Sequence, residues 1–190
     1  LVTVACPTDR KAIMTANSTA RSIPDADRWE SERLAALQKY DVLDSPREEA
    51  FDRITRLIQS IFGVKIGIVS MIDGHRQWYK SVEGLPTSQA ERKDTFCKHS
   101  LASGQPVIVS DATLDPRFAD HPSVIGEPHI RFYAGVPLRT DDGQILGTLC
   151  AIDCATREFG VRETKILEDL AQMAIGELEL RQRATTDGLT

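Results

Sequence analysis

The chain has 190 residues, 41% of them apolar, and a formal net charge of -5 at pH 7. That length and apolar share suffice for one domain with a sizeable core, while the acidic balance gives no electrostatic reason to hold nucleic acid or an anionic membrane surface. No apolar run approaches the roughly 20 residues of a spanning helix, the opening LVTVACPTDRK lacks a signal-peptide pattern, and the four cysteines, Cys6, Cys97, Cys150 and Cys154, are too irregularly spaced for a disulfide framework.

These features point to a reduced, cytoplasmic setting. Residues 1–27 are polar and without periodicity, and are expected to form a poorly ordered leader. A first helix is expected from Arg28 to about Tyr40, with Leu34 and Leu37 on its apolar face. In DSPREEAFDRITRLIQSIFG, Ser45, Pro46 and Glu48 read as a capping box with proline at the first helical position. Phe51, Ile54, Leu57, Ile58, Ile61 and Phe62 then recur at helical spacing, and Gly63 ends the run.

The period then changes to two. VKIGIVSMID and HRQWYKSVEG, joined at Asp73-Gly74, predict a hairpin. KDTFCKHSLASG reads as a helix ending at Gly104, and QPVIVSD as a short strand entering a loop rich in Asp, Pro and His. IRFYAGVPLRT, the turn DDG and QILGTLCAID predict a second hairpin, so the sheet is expected to be largely antiparallel with both faces covered. The last helix is expected over 161–184, with Ile166, Leu167, Leu170, Met173, Ala174, Leu178 and Leu180 in a broad stripe. Glu177 with Arg181 and Glu179 with Arg183 are spaced to pair on its outer face. Its length of roughly 35 Å exceeds a compact domain, so its distal part calls for a partner or a continuation.

Two cysteine patterns invite chemistry. Cys97 and His99 are two apart, which on a helix sets them about 200° from each other, so they do not share a face. Cys150 and Cys154 on an extended strand would lie about 13 Å apart, beyond the roughly 7 Å that a disulfide spans, and they lack the usual zinc-knuckle spacing. No metal site is expected.

YDVLDSPREEAFDRIT, FCKHSL, DPRF at 115–118, IRFYAGVPL and DGQILGTLCAID together resemble the GAF domains of bacterial signalling proteins. The resemblance covers about residues 31–183. It implies an α+β fold, with a central antiparallel sheet of five or six strands, helices packed on it and a long C-terminal helix. It also implies a regulatory role: ligand binding or dimerisation, passed along the last helix to an output domain. The terminal Asp187-Gly188-Leu189-Thr190 resembles the opening Asp-x-Leu-Thr of GGDEF diguanylate cyclase domains, whereas no His follows His129 to serve as the phosphoacceptor of a histidine kinase. The expected organisation is a leader at 1–27, a sensor at 28–160, a signalling helix at 161–184 and the start of an output domain at 185–190.

The resemblance further implies a pocket between the sheet and a covering loop and helix. Trp78 is expected to stack on a planar ligand, Phe118, Phe132 and Tyr133 to supply apolar area, and Cys97, His99, Asp111 and Arg131 to fix polar groups. Bilin-binding relatives attach their chromophore through a Cys before the fourth strand. Here DPRFADHPSVIGEPHIRF holds His121 and His129 but no Cys, which weighs against a covalent bilin, and no cofactor is expected. The expected function is that of a small-molecule sensor, not itself an enzyme, that forms a homodimer and controls a diguanylate cyclase. Ile166, Leu170, Met173 and Leu180 are spaced for a coiled-coil seam that Glu177 interrupts. A ligand-free dimerisation module is the alternative. A third reading is a thiol enzyme acting on free methionine sulfoxide, which would require Cys97 and Cys150 to meet in space.

Overall fold

The computed structural model describes residues 23–187. Six strands, β1 (Ile66–Ile72), β2 (Arg76–Glu83), β3 (Gln89–Glu91), β4 (Val107–Val109), β5 (Phe132–Arg139) and β6 (Ile145–Asp153), form one sheet in the order β3-β2-β1-β6-β5-β4. Every pairing is antiparallel. The two expected hairpins, β1–β2 and β5–β6, lie side by side through β1 and β6 and supply the four central strands. The α+β architecture expected from the sequence is therefore present. The edge strand β3 was not expected: at three residues it is too short to show a period.

Helices α1 (Ile23–Lys39), α2 (Glu49–Phe62) and α5 (Val161–Asp187) supply the cover of one sheet face. Phe51, Ile54 and Ile58 of α2 and Leu167, Leu170, Ala171, Ala174, Ile175 and Leu178 of α5 interlock there with Val69, Met71, Trp78, Phe132, Ala134, Val136 and Leu149. The close approach of α2 depends on Gly67, where a Cβ would lie 2.7 Å from the Thr55 carbonyl oxygen. Leu57 and Phe62 are half-buried and Ile61 is exposed, so the apolar face of α2 is narrower than its sequence suggests.

The opposite face is covered by α3 (Cys97–Ser103), the single turn α4 (Pro122–Ile125) and the loops around them. The helix expected across KDTFCKHSLASG is thus shorter. A 3-10 turn at Arg92–Asp94 precedes it, Thr95 is extended, and the αL residue Gly104 closes it as expected.

Three expectations about the helices are corrected. Residues 23–27, placed in the leader by sequence, are helical, with Asp25 in the first turn where it complements the helix dipole; residues 1–22 lie outside the described residues. The capping box at α2 does not form. Glu48 is the N-cap residue but makes no side-chain cap, because Lys80 recruits both groups, donating to Ser45 Oγ at 2.9 Å and Glu48 Oε1 at 2.6 Å. Lys80 has no partner across β1, since Val69 pairs with Ser81 and Ser70 with Tyr79. This bulge puts both Lys80 and Ser81 on the helix side. Ser81 there donates to Asp52 Oδ1 at 2.6 Å.

The third correction concerns α5, which extends to Asp187 rather than 184. Arg181 does not pair with Glu177. It turns inward to Glu48 Oε1 at 3.0 Å and the Tyr40 carbonyl at 2.8 Å, fastening the far half of α5 to the α1–α2 connection. Leu170, expected on a dimer seam, is buried in the core; Met173 and Leu180 are exposed, with Ile166 and Glu177 half-buried.

A second buried cation holds α1. Arg33 is fully buried and donates to the Ile72 carbonyl at 2.7 Å, the Ile145 carbonyl at 3.3 Å and the Glu30 carboxylate. Strand-end carbonyls need donors when water is excluded, and one guanidinium supplies several. Burial opposes ionisation of Glu30, yet hydrogen bonds and charge from Arg33 and Arg92 outweigh it and hold the carboxyl at about 2.

Candidate functional site

On the α3 side the sheet is incompletely filled. A cavity of about 290 Å³ lies between β1, β2, β5 and β6 and the covering segments. Its floor carries Ile68, Gln77, Tyr79, Tyr133 and Ile152, and its cover includes Phe96, Cys97, His121, Ser123 and Ile130. Strand alternation decides the floor. Gln77 and Tyr79 flank Trp78, so they face the cavity while Trp78 is buried against Met71 and the helices.

The cover is an aromatic stack. Phe96 lies parallel to Phe118 with ring centroids 4.3 Å apart, and contacts His121 at 4.7 Å and Tyr133 at 5.1 Å. His121 bridges two segments: its Nδ1 accepts from the Ser123 N–H at 3.1 Å, which leaves Nε2 to donate to the Asp94 carbonyl at 2.9 Å.

Beneath the cover is a closed ring of polar side chains drawn from α3 and four strands. Thr148 Oγ1 and Ser70 Oγ are 3.0 Å apart, and Gln77 Nε2 donates to Ser70 Oγ at 2.8 Å and to Cys97 Sγ at 2.9 Å. Cys97 and Cys150 sulfurs are 3.3 Å apart, and the Tyr133 hydroxyl donates to Cys97 Sγ at 3.3 Å. Cys150 Sγ closes the ring on Thr148 Oγ1 at 3.4 Å. Tyr133 reaches the sulfurs by lying along its own strand over Gly135, where a Cβ would stand 2.0 Å from the hydroxyl oxygen.

These contacts set the acidities of the group. Burial pushes a thiol up, but at Cys97 hydrogen bonds from Cys150, Thr148, Tyr133 and Gln77 outweigh it and lower the pKa. Cys150 is pushed well above the usual range, by burial first and then by Cys97. Burial, with the two sulfurs nearby, also raises Tyr79 and Tyr133. The sulfur that faces the cavity is therefore the one better able to carry charge.

The eight residues expected around a ligand separate. Cys97 and Tyr133 line the cavity. Phe118 belongs to the cover, behind Phe96. Trp78 and Phe132 sit on the other face of the sheet in the helix-side core. His99 packs edge-on against Phe118 at 4.9 Å, with its Nε2 buried and unpartnered, outside the cavity wall. Burial, with Lys98 and Arg117 nearby, lowers its pKa. Asp111 forms a surface turn, accepting from the Thr113 N–H at 2.9 Å, and Arg131 donates to the Val124 and Ile130 carbonyls at 3.0 Å. Sequence reasoning did not single out Ser70, Gln77, Tyr79, Thr148 or His121 as pocket residues. Period two in HRQWYKSVEG would have placed Gln77 and Tyr79 on one face. Cys154 is half-buried and separate from Cys150, and among the described residues no group of three His, Cys, Asp or Glu side chains could hold a metal ion. No helix among them is long and apolar enough to cross a membrane.

Comparison with known proteins places this geometry. The GAF-domain family matches residues 46–178. A cyclic di-GMP phosphodiesterase of Pseudomonas aeruginosa is 39% identical over 150 residues, covering 78% of this chain and 26% of the phosphodiesterase. A Nif-specific regulatory protein of Azorhizobium caulinodans is 24% identical over 137 residues, covering 64% of this chain and 22% of the regulator. The chain thus spans about a quarter of the length of these curated relatives.

Among solved structures, the GAF domain of an Acinetobacter phosphoenolpyruvate-protein phosphotransferase superposes with a TM-score of 0.61 at 14% identity, covering 83% of this chain and 97% of that one. A free methionine-R-sulfoxide reductase of Neisseria meningitidis, in complex with its substrate, gives 0.60 at 20% identity, covering 86% and 96%. At such identities the likeness is one of fold. The chain belongs to the GAF family, as a sensory and regulatory domain of the kind found in signalling proteins.

Proposed function

We propose that this domain binds a small molecule in the cavity and regulates an enzyme of cyclic di-GMP metabolism joined to it in cis beyond α5. One observation carries the reading. On β5, Tyr133 reaches the polar ring at the cavity while its neighbours Phe132 and Ala134 lie in the core shared with α5. A ligand that moves Tyr133 therefore acts on a strand that α5 rests upon. At about 290 Å³ the cavity is at the small end of ligand pockets, and it suits a ligand the size of an amino acid or a single heterocycle rather than a tetrapyrrole.

In this reading residues 23–160 are the sensor and 161–187 the transmitting helix. The sensor performs no chemistry itself and works in the cytoplasm as a homodimer. The exposed Met173 and Leu180, with half-buried Ile166 and Glu177, form the seam on which two α5 helices pair. The output is a diguanylate cyclase, a reading supported by the Asp-x-Leu-Thr pattern at 187–190 and by the relative active on cyclic di-GMP.

The test is cyclic di-GMP turnover by the full-length protein, with and without a cell-derived metabolite pool, alongside an Ile130→Trp variant whose larger side chain fills the cavity. Synthesis from GTP that responds to the pool in wild type but not in the variant is expected. Hydrolysis of cyclic di-GMP without synthesis would replace the cyclase by a phosphodiesterase, and a response indifferent to the filled cavity would overturn the sensor site.

A second reading, reduction of free methionine sulfoxide, is favoured by the 3.3 Å approach of the Cys97 and Cys150 sulfurs. Thiol-dependent release of methionine from the sulfoxide by the purified chain would support it. Absence of turnover would remove it.

A further inference from the structure

The cysteine pair is a feature that ligand sensing does not use. Cys97 comes from the start of α3 and Cys150 from the middle of β6; their sulfurs stand 3.3 Å apart, and among the described residues the ionisable groups in hydrogen-bond contact with them are each other and Tyr133. Both side chains are buried, but Cys97 lines the cavity while Cys150 lies behind it, in contact with Thr148. Unpaired structural cysteines in a core are ordinarily surrounded by carbon. Here Gln77 Nε2 at 2.9 Å and the Tyr133 hydroxyl at 3.3 Å both aim donors at one sulfur. Donors of this kind stabilise a thiolate, the nucleophilic form of cysteine.

We propose that Cys97 and Cys150 are a modification site, at which a small hydroperoxide entering the cavity converts the two thiols into an intramolecular disulfide. The Cys97 sulfur attacks the terminal peroxide oxygen and the O–O bond breaks. Cys97 becomes a sulfenic acid, and the remaining oxygen leaves as water or an alcohol with the thiol proton. The Cys150 sulfur then attacks the Cys97 sulfur, the S–O bond breaks, and the departing hydroxide leaves as water with the Cys150 proton. Two thiols are oxidised and one hydroperoxide is reduced, with no other reactant. A cellular dithiol reverses the change by thiol–disulfide exchange.

The second step needs little movement. A disulfide bond is about 2.05 Å, so the sulfurs approach by roughly 1.2 Å from their present separation of 3.3 Å. The roles differ because the environments differ: Cys97 lines the cavity and has the two closer donors, whereas Cys150 lies behind it with the Tyr133 hydroxyl at 3.7 Å. Closure turns the sulfur that accepts from Gln77 and Tyr133 into a weakly accepting disulfide sulfur, which leaves Gln77 on Ser70 and releases the Tyr133 hydroxyl for another partner. The pocket thereby acquires two chemical forms, and this holds whatever enzyme lies in cis.

The test is mass spectrometry of the native chain after hydrogen peroxide, with free thiols alkylated under denaturing conditions. A non-reduced peptide joining Cys97 to Cys150, an intact mass before alkylation lower by about 2 Da for the two hydrogens lost on disulfide formation, and reversal by dithiothreitol are expected. Cys6 and Cys154 remain alkylated. In Cys150→Ala, where no disulfide can close, dimedone is expected to trap a sulfenic acid at Cys97. Oxidation confined to Cys6 or Cys154, with Cys97 and Cys150 fully alkylated in wild type and no dimedone adduct at Cys97 in the variant, would overturn the proposal.

Discussion

The two faces of this sheet are made by the same strands and are built to different ends. On the helix side, apolar side chains from α2 and α5 interlock with those of the sheet, and the charged groups that are buried there, Lys80 above all, are bound to fixed partners. On the α3 side, short irregular segments cover the sheet, a cavity remains, and the polar groups bond one another in a ring with the sulfurs at its edge. The contrast shows how one sheet can carry an interlocked core on one face and an open cavity on the other. Packing that tolerates no void specifies the fold, and the face released from that duty is free to hold a ligand.

The largest effects should separate the faces most sharply. Leu149→Ala, in the helix-side core, is expected to cost about 2 to 5 kcal/mol, read by denaturant unfolding. Ile68→Ala, on the cavity floor, should cost at most about half as much, because the cavity already borders it and fewer contacts are lost. Equal losses would mean that the cavity face is as tightly built as the other. Lys80→Met tests the buried cation: removing the partner from Glu48 should cost roughly 1 to 3 kcal/mol, and a double-mutant cycle with Glu48→Gln should show strong coupling.

Gly135→Ala sharpens the comparison from the other side. The added methyl meets the Tyr133 hydroxyl, so a loss of about 1 to 3 kcal/mol should accompany displacement of Tyr133, visible as a changed tyrosine environment in near-ultraviolet circular dichroism. A smaller effect follows from acidity. Because Glu30 is held at about 2 in the folded protein and lies near 4.3 when unfolded, its contribution is complete above the unfolded value and is lost as pH falls toward 2. Stability measured between neutral pH and pH 3 should therefore fall less steeply in Glu30→Gln than in wild type. Least of all, Met173→Lys and Leu180→Lys should leave stability within about 0.5 kcal/mol while weakening self-association in sedimentation equilibrium. Unchanged association would detach α5 from any dimer seam.

The helix side was largely legible in the sequence and the cavity side was not, for physical reasons. Phe51, Ile54 and Ile58 announce a helix because period 3.6 is a local property, and the two hairpins show because alternation is equally local. Trp78 misled through its chemistry: a large aromatic beside a turn invites a ligand, yet its neighbours, not its size, decide which face it takes. The bulge at Lys80 left no local trace either, because it matters through Ser45 and Glu48, contacts 35 and 32 residues away. The polar ring is less visible still. Ser70 meets Thr148 across 78 residues and Cys97 meets Cys150 across 53, so these pairs exist only once β1, β6 and α3 are assembled. The sequence showed that Cys97 and Cys150 lie on separate elements, and only the fold brings them within 3.3 Å.

The central claim is that the α3-side cavity is where this domain takes its signal and that β5 hands the signal to α5. Backbone-resolved 15N NMR of the chain, titrated with a fractionated small-molecule extract of the cells that make it, tests this most directly. Shifts that begin at Gln77, Tyr79, Cys97 and Tyr133 and continue through Phe132 and Ala134 into residues 167–178 are predicted. Shifts confined to residues outside the cavity, or cavity shifts that leave α5 unmoved, would contradict this mechanism.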